Sequence, residues 1–514
     1  MHLEAVFLYK AKEEKHKQIL LPHEFFLPFG GQLDSENRWA KLALIIPWYE
    51  IEKRYMKNFK NMKAGQVARS ARLAVGSLII QNRCSWSDVE TLAQITENPY
   101  LQYFIGLPRF QKEAPFNASL MTYFRQRLSK EIINEINELI ALEAAKVKKD
   151  DDSHNDSSGS NNKKNDSATE NKNLKTKESN VCVGHQGKLI LDATCTPADV
   201  HYPTDLWLLN ESREKLEIII DILHAPLVGK QVKPRNYRNK ARRNYLNIAK
   251  SKRPGKKKIR KAISQQLGYV KRDLEIIDKL IKTSDFKLLS KRQVKDLQVI
   301  HEIYRQQLEM FKSHLHKIED RIVNISQPHV RPIVRGKMKA EVEFGAKLAI
   351  SLVNGFAFME ELSWDNFNEG ITLIQSVERY LTRFGCYPEA ILADKIYRNR
   401  DNIRYCKGLG IRLNGPRLGR PSDSELSEQQ RLERKDTGER NSVEGKFGEG
   451  KRFYGLNRIF TRLSDTSETV IAMQILVMNL GKRLRLLFEY FPKQPYISKY
   501  VVVEQSSLKS VTVQ

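Results

Sequence analysis

Three carboxylates in this chain have the residue type and the setting expected of a site for divalent cations. Asp192 and Asp394 each follow a short apolar run, and Glu444 lies in a segment rich in Gly and Lys. Hard cations such as Mg²⁺ prefer carboxylate oxygens, and two such ions stabilise the attacking and leaving oxygens when a phosphodiester bond is displaced in line. The three acids therefore predict a site for two Mg²⁺ ions, with Mn²⁺ expected as a substitute.

Each acid is predicted to have its own place in this site. Asp192 is expected to bridge both ions, with Asp394 completing the coordination of one ion and Glu444 that of the other. No side-chain nucleophile is required, because water can cut a strand and the freed 3′-hydroxyl can then attack a second DNA molecule. Any one of these acids taken alone would more often be a helix cap or a salt-bridge partner.

The charge of the chain indicates a polyanionic partner, with nucleic acid as the first candidate. Lys and Arg number 87 against 61 Asp and Glu, which gives a net charge of +26. No acidic residue occurs between Ile222 and Arg272. The high density of positive charge in this segment predicts contact with the DNA backbone, and a flexible basic loop is the alternative. The candidate contacts are Arg242, Arg243, Lys256, Lys257 and Lys258.

Several classes of protein do not fit the composition. No apolar stretch approaches the roughly 20 residues that cross a bilayer, so no membrane partner is expected. Residues 1–20 lack the basic start and apolar core of a secretory signal. The five cysteines are far apart, without the paired spacing of a zinc site or a disulfide framework. A soluble cytoplasmic protein with reduced thiols is expected.

The first part of the chain is predicted to be helical. Ser87 and Glu90 have the spacing of a capping box, which starts a helix that ends near Asn98. Another helix is predicted over 119–128, where Arg125 and Arg127 are candidate DNA contacts. A helical bundle with a merely solvated basic face is the alternative.

The carboxylates require elements that bring them together from distant parts of the chain. Alternating strands and helices of this kind describe a mixed sheet with helices on its faces. Two Asp residues would then lie on neighbouring inner strands, with a Glu on a covering helix. In chain order the predicted elements are a strand at 189–191, a hairpin centred on Asn354-Gly355, a helix ended by Gly385, a strand at 390–393 and a helix at 440–452.

Changes in composition divide the chain into predicted domains. From Asp150 to Asn180 the only aliphatic side chains are Ala168 and Leu174, so this segment cannot bury enough surface to order itself. The predicted organisation is a helical DNA-binding domain (1–148), a disordered linker (149–180), a catalytic domain (181–202 and 336–482) interrupted by a basic helical insertion (203–335), and a carboxyl-terminal tail (483–514).

Several motifs in this sequence resemble one family. They are Asp192-Ala193-Thr194, Arg331 to Lys337, Glu343 to Lys347, Ala393 to Tyr397 and the segment from Arg440 to Leu456. Together with the helical region from Leu33 to Leu128, they resemble the DDE transposases of bacterial insertion sequences, in particular the insertion-sequence-five type. The resemblance implies an α/β fold with a ribonuclease-H-like mixed sheet flanked by helices, and an all-α amino-terminal domain.

The family's glutamate signature, Tyr-x2-Arg-x3-Glu-x6-Lys, fits Arg440, Glu444 and Lys451. Offsets of 4 and 11 residues return to within about 40° of one helical face, so the three side chains can point the same way. Thr437 stands where the signature has Tyr, and Gly445, Gly448 and Gly450 lower helix propensity, so an irregular helix or one ordered by DNA is expected. The rivals to Glu444 are Glu439 and Glu449.

The resemblance also implies roles and partners. Arg440 and Lys451 would contact the phosphates of the transposon ends, and Tyr397 and Arg398 would help to position the strand. The partners would be double-stranded DNA, as element ends and target, and at least one further copy of the chain, because two ends must be held at once. The protein would act at the bacterial nucleoid. A repurposed DNA-binding protein without catalysis, or a related nuclease, is the alternative function.

Overall fold

The computed structural model describes residues 21–28, 30–57, 68–152, 185–337, 340–415 and 423–490. The predicted linker beyond residue 152 and the tail beyond residue 490 lie outside the described residues. Among the described residues, no helix combines the length and the apolar composition needed to cross a bilayer.

Helices form the amino-terminal part of the described chain. The Ser87 hydroxyl accepts a hydrogen bond from the amide of Glu90 and so caps a helix, as predicted. The Glu90 carboxylate accepts instead from the Gln94 side chain, so only half of the predicted capping box is formed. The helices here are α1 (Arg38–Ile45), α2 (Trp48–Met56), α3 (Ala71–Cys84), α4 (Asp88–Glu97), α5 (Pro99–Phe104), α6 (Leu120–Arg127) and α7 (Lys130–Asp152).

A mixed sheet is formed by strands that lie between residues 188 and 413, which confirms the predicted α/β class. Its strands are β1 (Lys188–Pro197), β2 (Arg331–Lys337), β3 (Ala340–Val353), β4 (Phe356–Ser363), β5 (Ala390–Leu392) and β6 (Arg412–Leu413). Strand β3 pairs antiparallel with β1, β2 and β4, whereas β1 and β5 are parallel, as are β5 and β6. The remaining described helices are α8 (Asp205–His224), α9 (Arg238–Ala249), α10 (Lys256–Ile281), α11 (Lys291–Ser313), α12 (Thr372–Phe384), α13 (Arg400–Gly408), α14 (Asp423–Phe453) and α15 (Ser464–Tyr490).

The predicted turn between β3 and β4 is confirmed. Asn354 and Gly355 have φ values of 50° and 76°, the left-handed pair that a type I′ turn requires. A two-residue turn of this kind matches the twist of the flanking strands. It therefore fixes the register in which β3 pairs with β4.

Strand β1 is longer than predicted, and Asp192 lies within it rather than at its end. Strand β5 pairs only with residues 188–190 of β1, in a register that aligns Ile190 with Leu392. Continuing that register by two residues brings Asp192 beside Asp394, just after β5 ends. Beyond this point β1 runs on without β5 as its neighbour, and an open edge remains at the carboxyl ends of the two parallel strands, where α/β sheets commonly bind ligands.

Helices cover both faces of the sheet. Ile350 and Leu352 of β3 belong to a core that also includes α15 and the amino-terminal helices. Leu189 and Leu191 of β1 face the other way and pack with residues of α12, including Val377. Alternate residues of the inner strands are therefore buried on opposite sides of the sheet. This explains why the sequences of these strands are continuous apolar runs.

The segment between β1 and β2 forms a separate helical layer. Helices α8, α10 and α11 enclose a hydrophobic core of their own, with members such as Leu216, Ile277 and Ile300 that are at most 1% exposed. Helix α9 carries much of the basic sequence on its surface. Arg213, Glu217 and Asp273 are buried among these helices, so this layer also contains charged groups.

Helix α14 extends without interruption through the predicted glycine-rich segment, so the irregular helix expected from the sequence is not observed. A Cβ at Gly445 or Gly448 would meet no atom within 4 Å, so these glycines are not required by packing. At Gly450 a Cβ would lie 2.5 Å from Leu456 Cδ1, and glycine allows the close approach there. Packing of the helix against the sheet outweighs its low intrinsic propensity.

Candidate active site

The three predicted acids line one cavity at the open edge of β1. Its volume is about 860 Å³, and Asp192, Asp394 and Glu444 are all part of its wall. Arg440 and Lys451, the other two members of the signature, also line it. Residues from three distant parts of the chain therefore meet at the place that the spacing of the motifs indicates.

Helix α14 is held over this cavity by its own side chains. Val443 and Phe447 are buried in the core beneath the sheet. Lys188 of β1 donates to both carboxylate oxygens of Glu439 at 2.6 and 2.8 Å, and Arg412 of β6 pairs with the buried Asp436. These contacts fix the rotation of the helix and turn Glu444 toward the cavity.

The two rivals of Glu444 have other partners. Glu439 is bound to Lys188, as described above. Glu449 accepts from Lys446 at 3.0 Å and from Arg485 at 3.2 Å. Neither side chain is part of the cavity wall, so geometry favours Glu444 over both.

Asp192 is the most enclosed of the three acids. Burial raises its pKa to about 6 against the lowering effect of the Ala193 amide, which donates to Oδ1 at 2.8 Å, and nearby Glu369 raises the pKa to a smaller extent. Arg440 acts in the opposite direction. The carboxylate form of Asp192 is therefore poorly compensated by the protein around it.

Arg440 lies between the other two acids. Its Nη1 atom is 3.8 Å from Asp394 Oδ1, and its Nη2 atom is 3.5 Å from Glu444 Oε1. The Asp394 and Glu444 side chains are 57% and 60% exposed, so water screens both ion pairs. A positive group thus already occupies the space between two carboxylates.

The residues of the cavity suit a hard divalent cation by chemistry rather than by their present arrangement. The predicted donors are carboxylate oxygens, and the Arg440 guanidinium between two of them marks a position where positive charge is favourable. However, no three His, Cys, Asp or Glu side chains of the described chain converge closely enough to hold a metal ion. Binding would require Arg440 to withdraw and the acids to approach one another.

Sequence reasoning gave no role in the site to two charged residues that line this cavity, Glu369 and Lys347. Lys347 Nζ lies 3.0 Å from Glu369 Oε1, and both side chains are at most 20% exposed. Glu369 stands between a hairpin and a helix, where an acid ordinarily caps the helix. No pattern in the sequence distinguishes it from such a cap.

The predicted DNA contacts divide by exposure. Tyr397 is 1% exposed and Arg125, which pairs with Asp88, is 6% exposed, so neither can meet DNA directly as the sequence suggested. Arg398 donates to main-chain oxygens of Leu413 and Asn414, and Arg127 is half-buried. The contacts predicted in the insertion are all exposed: Arg242, Arg243, Lys256, Lys257 and Lys258.

Two parts of the chain match known protein families. Residues 391–481 match the family described as the transposase DDE domain. Residues 28–127 match a second family, described as a transposase domain (DUF772). Two separate parts of this chain are therefore similar to transposase domains. Asp394 and Glu444 lie within the first match, whereas Asp192 and the insertion lie outside both.

One curated relative is also similar to part of this chain. It is the uncharacterized protein ORF8 in the nfe locus of Rhizobium meliloti, 34% identical over 112 residues. The match covers 21% of this chain and 53% of the relative, so the chain spans about half of that protein's length. No solved structure matches this chain.

Proposed function

We propose that this protein is a transposase that binds the terminal inverted repeats of its own insertion sequence, of the insertion-sequence-five type, and catalyses Mg²⁺-dependent strand cleavage and strand transfer. The supporting observation is the cavity that Asp192, Asp394 and Glu444 share. The mixed sheet with helices on both faces agrees with a ribonuclease-H-like core. We further propose that the transposase acts on double-stranded DNA at the nucleoid, as a dimer or larger assembly that holds two element ends.

In this proposal the three carboxylates hold Mg²⁺, or Mn²⁺ in its place. Bound there, the divalent cations would supply positive charge to the attacking and leaving oxygens of a phosphodiester bond. Asp192, the most enclosed acid, fixes the position of the scissile phosphate relative to β1. Asp394 and Glu444 close the site from the end of β5 and from α14. Desolvation of Asp192 makes a compensating cation more favourable there.

The basic residues of the chain bind and orient the DNA. Arg440 and Lys451 line the cavity and are suited to the phosphates next to the scissile bond. The exposed arginines and lysines of α9 and α10 are suited to phosphates farther along the duplex. Sequence-independent contacts of this kind set the orientation of the duplex, so that one strand enters the cavity.

The test uses purified full-length transposase and a duplex that carries the terminal repeats flanking its gene. With Mg²⁺ the wild type is expected to cut the repeat end and to join the freed 3′-hydroxyl to a second duplex. Asp192→Asn, Asp394→Asn and Glu444→Gln should each abolish both products, because each removes one charged cation ligand. Asp401→Asn, which changes an exposed acid of α13 outside the cavity, is the matched control and should remain active.

Three results would contradict parts of this proposal. Full activity in any of the three acid variants would remove that residue from the site. Cleavage without joining would indicate a nuclease. DNA binding without any Mg²⁺-dependent product would indicate a repurposed DNA-binding protein that retains the fold.

A further inference from the structure

Glu369 is a carboxylate of the cavity that the three-acid proposal does not use. It begins a short 3-10 helix, Glu369–Ile371, immediately before α12. Its side chain is 20% exposed and lines the same cavity as Asp192 and Asp394. The side chain of an ordinary surface acid would extend into water, where its charge is best solvated.

The main chain at Glu369 is fixed against the turn that follows Asp394. A Cβ on Gly370 would lie 2.7 Å from the carbonyl oxygen of Ile396, so only glycine allows the two turns to approach this closely. The buried side-chain amide of Asn402 donates to the carbonyl oxygens of Gly370 at 2.7 Å and Tyr397 at 2.8 Å. Glu369 therefore has a defined position relative to Asp394.

Lys347 holds the carboxylate of Glu369 inside the cavity. The ammonium group of Lys347 lies 3.0 Å from Glu369 Oε1 and also donates to Asn366 Oδ1 at 3.3 Å and to the Phe367 carbonyl at 2.8 Å. These three acceptors match its three donors. The Lys347 side chain is only 10% exposed and extends from β3, the strand paired with β1. A cation this enclosed has little freedom to release its partner.

We propose that Glu369 is a fourth carboxylate ligand of the divalent cations in this site and that Lys347 is the residue that positions it. This inference rests on the proposed function, since it assumes that Asp192 and Asp394 hold the same cations. The competing explanation is that Glu369 only neutralises Lys347. The two explanations differ when both charges are removed together.

The experiment measures Mn²⁺ binding to the full-length protein by calorimetry, without DNA. Glu369→Gln is expected to weaken binding by about 10-fold to 100-fold, the range seen when metal-site partners are removed. The double variant Lys347→Met with Glu369→Gln keeps the net charge of the cavity and should be weakened to a similar degree. Asp401→Asn, an 81% exposed acid on α13, is the matched control and should bind like the wild type.

Melting curves in EDTA verify that each variant is folded. The double variant also avoids leaving the enclosed Lys347 without the carboxylate of Glu369. Wild-type Mn²⁺ affinity in the double variant would overturn the inference, because Glu369 would then only neutralise Lys347. Asp192→Asn is measured in parallel. If it weakens binding while Glu369→Gln does not, the inference alone is wrong. If Asp192→Asn also binds Mn²⁺ like the wild type, the proposed cation site itself is wrong.

Discussion

The guanidinium of Arg440 is expected to compete with divalent cations for two of the proposed ligands, and Arg440→Gln tests this competition. The substitution removes the charge that lies 3.8 Å from Asp394 and 3.5 Å from Glu444, while it keeps a polar, uncharged side chain. A cation that binds both carboxylates has to displace the guanidinium. Removing the guanidinium should therefore strengthen cation binding, even though Arg440 belongs to the proposed site.

The expected gain follows from the exposure of the two acids. Both carboxylates are more than half exposed, so each ion pair contributes less than about 1 kcal/mol. Taking the two pairs together as about 1 kcal/mol, Arg440→Gln should raise Mn²⁺ affinity roughly fivefold. The same variant should bind DNA more weakly, because it loses a proposed phosphate contact. Stronger Mn²⁺ binding together with weaker DNA binding is therefore the result expected if Arg440 lies between two cation ligands.

The assay is calorimetric titration of the full-length chain with Mn²⁺ at about 0.15 M salt, where the screening length is about 8 Å. Arg434→Gln is the matched control, because Arg434 is exposed, lies six residues earlier on α14 and does not line the cavity. Arg440→Lys keeps the charge and should bind Mn²⁺ like the wild type. If Arg440→Gln binds Mn²⁺ no better than the wild type, the guanidinium does not compete with the cation and this reasoning is wrong.

Two further predictions concern the insertion. Burial raises the pKa of Asp273 to about 8, so between about pH 4 and 8 the folded chain keeps a proton that the unfolded chain loses, and stability falls as the pH rises. The difference in unfolding free energy between Asp273→Asn and the wild type should therefore grow in favour of the variant by up to about 1.4 kcal/mol for each pH unit, as measured by thermal unfolding. A difference that does not change with pH would contradict the raised pKa of Asp273. Replacing Arg242 and Arg243 together by Gln should reduce the slope of log affinity against log salt on duplex DNA by about 2, as measured by fluorescence anisotropy. Arg305→Gln is the control, since Arg305 is paired with two glutamates, and an unchanged slope in the double variant would exclude the two arginines as DNA contacts.

Local features of the fold could be predicted because their causes lie within a few residues. Asn354 and Gly355 readily adopt positive φ, so these two residues were enough to locate the hairpin. Gly385 ends α12 in the left-handed conformation for the same reason. The strand before Asp394 was recognisable as a short apolar run. The family resemblance then indicated which distant acids belong together.

Other predictions were wrong because tertiary contacts outweighed local preference. The glycines of α14 predicted an irregular helix or one ordered by DNA, but packing of Val443 and Phe447 against the core keeps the helix continuous through them. Arg125 looked like a surface cation in the sequence. In the fold it is buried against Asp88, a partner 37 residues away that periodicity does not reveal.

By itself, the sequence determined the chemistry available to this protein: three acids at recognisable motifs, a strongly basic insertion and a signature with one helical face. Only the tertiary structure decided how these groups meet. It placed Arg440 between two acids, and it added Glu369 and Lys347 to the cavity through contacts between β3 and the turn before α12. The physical reason is that the charge and burial of a side chain depend on neighbours supplied by distant segments. Local sequence fixes backbone preferences but not which of those segments come together.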